Sequence, residues 1–260
     1  MTSDKISFND GAAYEKMMGT WSRLAGEVFL DWLAPAAGQR WVDVGCGNGA
    51  FTELLIQRCA PASVEGFDPS EPQLAYARTR PSAQLANFRL GDAMAAPYPD
   101  ASFDAAVMAL VIFFVPQPER GVAEMLRVVR PGGSVSAYAW DMPGGGFPLQ
   151  PLLQAMHEIG MTPPRPPSAD VSRREALHAL WVQAGLQQVE TREISVTRQF
   201  SDFEEFWSIA MLGSSVASTV KAMDAPTVQL LKERVRALMP AESDGRIRYT
   251  ARANAVKGQR

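Results

Sequence analysis

Val42-Asp43-Val44-Gly45-Cys46-Gly47-Asn48-Gly49 decides the fold of this chain. Arg40–Gly45 is a short, β-branched run that ends in glycine. Phe51–Cys59 follows it, with Phe51, Leu54, Leu55 and Arg58 at helical spacing. A strand therefore runs straight into alternating glycines and then a helix. Glycines admit positive φ and let a ligand approach the backbone, while a helix start offers unpaired N–H groups. A tight strand-to-helix turn without a ligand would use the same residues. The loop alone thus fixes architecture and leaves function open.

Working outward, short apolar runs alternate with amphipathic stretches, which predicts a doubly wound α/β sheet. Ser63–Asp68 reads as the second strand, and Pro69-Ser70 opens a helix through Leu74, Ala75 and Ala77. Leu85–Leu90 is the third strand. Phe103–Phe113 is the fourth, its near-continuous hydrophobicity fitting a strand covered on both faces. Glu119–Val129 is a helix stopped by Arg130-Pro131-Gly132-Gly133, and Ser134–Trp140 is the fifth strand. Beyond Asp141 the pattern weakens: a helix over Leu149–Ile159, a stiff connector at Thr162–Ser168, a helix over Arg173–Ala184 and a strand over Gln188–Gln199. Phe203–Met239 reads as helical with breaks near Gly213 and Pro226, and Arg246–Val256 as a last, half-exposed strand.

The chain has 260 residues, 47% of them hydrophobic and 20% charged, the balance of a globular protein with a sizeable core. Its net charge of −3 offers no basic field to nucleic acid or an anionic membrane. The longest apolar run, Ala105–Val115, has 11 residues, where a membrane-spanning helix needs about 20. The first residues carry Asp4, Lys5, Asp10, Glu15 and Lys16 with no apolar block, so no secretory signal is expected. Two cysteines, Cys46 and Cys59, do not make a disulfide scaffold or a cysteine-built metal site, and no metal site is expected. A cytoplasmic location is the expectation.

The glycine spacing selects among ligands. The dinucleotide fingerprint G-x-G-x-x-G would put its third glycine where this chain has Ala50. Instead the pattern is G-x-G-x-G after an acidic Asp43, and VDVGCGNG resembles the first motif of the class I S-adenosylmethionine-dependent methyltransferases. The resemblance runs from about Gln39 to Asp141. It includes Asp68, 23 residues past Gly45, then Gly91-Asp92-Ala93 after the third strand, Asp104–Leu110, and Leu126–Gly133. It implies a seven-stranded sheet whose last strand is inserted antiparallel, with a helical cap.

The resemblance also implies a cofactor site. Asp43, Gly45 and Gly47 belong to the glycine loop, and Asp68 would accept from both ribose hydroxyls. Pro69 and Gln73 begin the following helix, Asp92 and Ala93 would meet the adenine, and Leu110 closes the fourth strand on the ligand edge. Plainer readings stay open: Asp68 serves equally as a helix cap, and Gly-Asp is a common turn. The leader Tyr14–Arg23 resembles a lid found in quinone and small-molecule methyltransferases, with Tyr14, Trp21 and Arg23 facing the methionine end. An amphipathic helix packed on the sheet accounts for it equally. The lid reading expects residues before Trp21 to order only when cofactor binds.

The expected organisation is a leader over 1–38, a cofactor-binding core over 39–141, and a remainder over 142–260 with a cap at 201–240. The expected activity is methyl transfer from S-adenosylmethionine to a small-molecule acceptor with an apolar part. A cofactor-binding protein without methyl transfer is the alternative, and a nicotinamide-dependent oxidoreductase fits less well. Such transfer needs positioning more than covalent chemistry, so no catalytic residue is read from the sequence. Tyr14, Asp141 and His157 are the available bases. The apolar residues Phe203, Phe206, Trp207, Met211 and Leu212 face either the acceptor or the cap's own interior. The sequence does not indicate an oligomeric state.

Overall fold

Six strands of one sense and one antiparallel insertion bring the glycine loop and the ends of the second, third and fourth strands to one edge of a single sheet. The computed structural model describes residues 15–163, 165–212 and 215–260. A π-helical turn, Glu15–Gly19, leads into α1 (Thr20–Leu33). Then come β1 (Arg40–Val44), α2 (Ala50–Cys59), β2 (Ser63–Asp68), α3 (Glu71–Ala77), β3 (Ala86–Leu90) and β4 (Phe103–Ala109). They are followed by α4 (Pro118–Val128), β5 (Val129–Trp140), α5 (Gln150–Glu158), α6 (Arg174–Gln183) and β6 (Gln187–Phe200). The cap helices α7 (Phe203–Ala210), α8 (Ser215–Lys221) and α9 (Ala225–Leu238) precede β7 (Ile247–Gln259).

The strand order is β3-β2-β1-β4-β5-β7-β6. The first five neighbours are parallel, and β7 is antiparallel to both β5 and β6. All strands except β7 therefore end at the same edge. β1 and β4 are the most deeply covered, with Trp41, Val42, Val44 and Ala105–Met108 buried. That follows from their near-continuous hydrophobicity, because helices close both faces.

Three features differ from the sequence reading. β4 stops at Ala109, since Leu110 takes φ +63 and a buried 3-10 turn, Ile112–Phe114, uses the rest of the apolar run. β5 starts at Val129 and includes Arg130–Gly133, with a register shift against Phe103 and Ala105. Gly133 is required there: a Cβ on it would lie 2.5 Å from the Asp104 carbonyl oxygen. β7 is not half-exposed, because it lies between two neighbours, and Ala253–Val256 are buried. Residues 203–238 form three helices, as the expected breaks near Gly213 and Pro226 imply; Phe203 and Phe206 are buried, and Trp207, Met211 and Leu212 pack partly buried against the core. That apolar stripe is the cap's packing surface. Among the described residues no helix is long and apolar enough to cross a membrane.

Candidate functional site

At the carboxyl end of β1 the chain turns on three glycines in the left-handed region, Gly45 (φ +74), Gly47 (φ +51) and Gly49 (φ +77). Each has a different reason. A Cβ on Gly45 would press into Val111 at 2.6 Å, so packing excludes a side chain. Gly49 abuts Ala77, with 3.0 Å between its notional Cβ and that methyl. Gly47 has nothing within 4 Å of a notional Cβ, so the loop faces open space at that point. The N–H groups of Gly45 and Cys46 donate to the Phe67 carbonyl, at 2.8 and 3.1 Å, and tie the loop to the end of β2.

Asp68 lies beside this opening. One carboxylate oxygen accepts the Gly47 N–H at 3.0 Å and the other the Ser70 N–H at 2.9 Å. Burial raises its pKa, and the two N–H bonds oppose the rise. Asp68 therefore anchors the loop and starts α3 in the free protein, while its remaining lone pairs stay available. Behind the loop, Asp43 is fully buried. The Thr52 hydroxyl donates to one of its oxygens at 2.6 Å, and the other has no partner. Burial pushes the Asp43 carboxyl up to about 7.

The remaining predicted residues share this edge unequally. Pro69 follows Asp68, and Gln73 is buried on α3. Asp92 is exposed at the end of β3, accepts the Met94 N–H at 2.8 Å and forms a one-residue bridge with Ala95, next to Ala93. Leu110 is buried, and its N–H donates to the Tyr138 carbonyl at 2.8 Å. Tyr14 lies outside the described residues. The structure takes two other leader residues elsewhere. Trp21 is buried against Phe200 and Tyr249, at centroid distances of 6.4 and 6.2 Å, at the end of the strand order opposite β2. Arg23 is 62% exposed and pairs with Glu27 at 3.1 Å, one helical turn along the surface. Neither faces the glycine loop, because α1 directs Trp21 onto the β6–β7 end.

Of the candidate bases, Asp141 is held by Arg252 through two N–H bonds of 3.1 and 2.8 Å, and His157 is exposed on α5. Cys46 is buried, and burial together with Asp43 and Asp68 holds its thiol well above the ordinary range, so it is no nucleophile. Among the described residues no group of three or more His, Cys, Asp or Glu could hold a metal.

The sequence reading missed a clasp on the loop's outer side. Arg80 donates to the Asn48 carbonyl at 2.6 Å, to Glu53 at 2.9 Å and to Glu15 of the leader. The Asn48 amide also donates to Glu15, at 2.9 Å. These residues are far apart in sequence and of ordinary types, so no local signal joins them.

A family model described as a methyltransferase domain matches residues 42–137. Over 121 residues the chain is 37% identical to the ubiquinone/menaquinone biosynthesis C-methyltransferase UbiE of Dinoroseobacter shibae, covering 45% of this chain and 48% of that protein. Over 173 residues it is 30% identical to the O-methyltransferase rstn1 of Aspergillus nomiae, covering 65% of this chain and 73% of that protein. The match thus spans about half the length of the UbiE relatives. Among solved structures, Haemonchus contortus phosphoethanolamine N-methyltransferase 2 with S-adenosyl-L-methionine superposes with a TM-score of 0.59 at 16% identity, over 95% of this chain and 56% of that one. That likeness is one of fold.

Proposed function

Because the chain belongs to the class I S-adenosylmethionine-dependent methyltransferases, we propose that it passes a methyl group from S-adenosylmethionine to a small-molecule acceptor. The opening beyond Gly47, flanked by Asp68, carries this reading. The loop backbone is open to a ligand at Gly47, and an acidic side chain lies beside it at the end of the second strand. The orphaned oxygen of buried Asp43 supports the same reading, since a cationic ligand nearby offsets a buried carboxylate. Gly45, Gly47 and Asp43 would receive the methionine part, Asp68 with Pro69 and Gln73 the ribose, and Asp92, Ala93 and Leu110 the adenine.

The cofactor supplies an electrophilic carbon already activated by its sulfonium. This chain's task is then to bind, orient and exclude water, and positioning of this kind contributes roughly 7–11 kcal/mol to a barrier. Asp141 is engaged with Arg252, and the thiol of Cys46 is buried and neutral. We assign no general base. The net charge of −3 favours a small molecule over nucleic acid as acceptor.

Titration calorimetry with S-adenosylhomocysteine, and with NADH as the contrast, tests the cofactor assignment. Binding of the former alone is expected. Release of S-adenosylhomocysteine from S-adenosylmethionine with phenolic, quinol and amine acceptors then tests transfer. Tight binding with no turnover on any of them would make the chain a cofactor-binding scaffold.

A further inference from the structure

The β6–β7 end of the sheet holds an arginine with no hydrogen-bonded partner among the described residues. β6 and β5 are both antiparallel to β7, so β6 runs in the same sense as β5 and ends at the cofactor edge. Two residues before that end, Arg198 pairs in register with Tyr249 of β7. Directly opposed side chains on one face of an antiparallel pair sit roughly 5 Å apart at Cβ. The Arg198 guanidinium lies 4.8 Å from the centroid of Phe200, and the Tyr249 ring meets Trp21 edge-on at 6.2 Å. Arg198 makes no ion pair or side-chain hydrogen bond among the described residues, and its buried Nη1 has no partner. Glu205 of α7 is the nearby acid, but it accepts the Ser201 N–H at 2.6 Å and does not bond the guanidinium. On the other side, Arg252 is engaged by Asp141 and Glu193.

A half-buried guanidinium with an acid nearby but no carboxylate bonded to it among the described residues is only partly compensated, unlike Arg80 or Arg127, which have bonded acidic partners. Its planar fork matches a carboxylate or phosphate through two parallel N–H bonds. Burial raises the pKa of the Tyr249 phenol, so the hydroxyl stays protonated and able to donate. We infer that Arg198 and Tyr249, two partly exposed polar groups on this face, form an oxyanion subsite, and that the acceptor carries a carboxylate or phosphate seated there. The inference rests on the reading above that this edge holds the cofactor of a small-molecule methyltransferase, and it adds the acceptor's place and charge.

Calorimetric titration of benzoate, phenyl phosphate and neutral benzamide, with and without S-adenosylhomocysteine, tests it. The wild type is expected to bind at least one oxyanion tenfold or more tighter than benzamide, and the stronger of the two identifies carboxylate or phosphate. Arg198→Gln should erase the preference, Arg198→Lys should keep part of it, and Tyr249→Phe should weaken the oxyanion severalfold. S-adenosylhomocysteine affinity should be unchanged in all three. Equal binding of the three probes, or an oxyanion preference that survives Arg198→Gln, overturns the subsite. Should Arg198→Gln not fold, a preference unchanged in both Arg198→Lys and Tyr249→Phe overturns it in the same way. If S-adenosylhomocysteine fails to bind the wild type, the cofactor reading falls alone, and the cofactor-free titration still decides the subsite.

Discussion

Replacing Asp43 by asparagine should make the protein's stability respond differently to pH, because a fully buried carboxyl raised from 3.8 to about 7 is a burden once ionised. A shift of that size costs the folded state about 4 kcal/mol at alkaline pH. The sign follows from the raised value. The unfolded chain ionises first, so this group's contribution is intact below about pH 4, is lost as pH rises through about 7, and is constant above that. At about pH 5 the burden is roughly 1.5 kcal/mol, and by about pH 8 it is nearly complete. Asparagine keeps an oxygen for the Thr52 hydroxyl, now 2.6 Å from the carboxylate, and carries no charge. Its amide N–H group faces the orphaned position at a cost of about 1–3 kcal/mol, the same at every pH. The stability of Asp43→Asn relative to wild type should therefore rise by about 2.5 kcal/mol from about pH 5 to about pH 8. That corresponds to a relative gain of roughly 5–10 °C in midpoint for a domain of this size. Cofactor-free thermal melts of both proteins in matched ionic strength give the readout. An Asp43→Asn difference that is the same at both pH values would refute the claim that a buried, ionisable carboxyl sits behind the loop.

The glycines should separate fold from binding. Gly47→Ala is expected to melt within a few degrees of wild type, a left-handed alanine costing roughly 1–2 kcal/mol, yet lose S-adenosylhomocysteine binding in calorimetry. Gly45→Ala should melt much lower, since its methyl collides with Val111. Asp68→Ala should weaken S-adenosylhomocysteine more than tenfold, a hydrogen bond to a charged group contributing about 1.5–3 kcal/mol; an unchanged dissociation constant removes Asp68 from the ribose. Arg80→Ala should raise amide exchange over Lys16–Thr20 by mass spectrometry, because Glu15 loses one of its two partners. Unaltered exchange would show that the clasp does not hold the leader.

The loop and its carboxylates were legible because they are local. Strand, glycines and helix lie within twenty residues, and Asp68 follows from where the next strand ends. The leader was not. An amphipathic segment reports that it packs and not on what, and Trp21 settles on Phe200 and Tyr249, which lie more than 170 residues away in sequence. The β4 and β5 boundaries were misread because Ile112 and Phe113 are as apolar as a strand, while Gly132-Gly133 carries a register shift inside β5 in place of ending a helix before it. Arg80 and Arg198 gave no signal, since a cation's importance lies in which neighbours it has or lacks.

The placement of β7 between β5 and β6 sets an order of assembly. β6 borders β7 alone, so during synthesis it leaves the ribosome before its native partner exists. β1 through β5 need nothing later in the chain to pair, so the half bearing the glycine loop can condense first. The cap helices between β6 and β7 must then wait as a long open loop, whose closure is slow compared with local helix formation. Until it closes, β5 and β6 both present bare backbone edges open to pairing with other chains. Trp21, Phe200 and Tyr249 cannot come together before that last strand enters, so the β6–β7 end is the final part of this protein to acquire its shape.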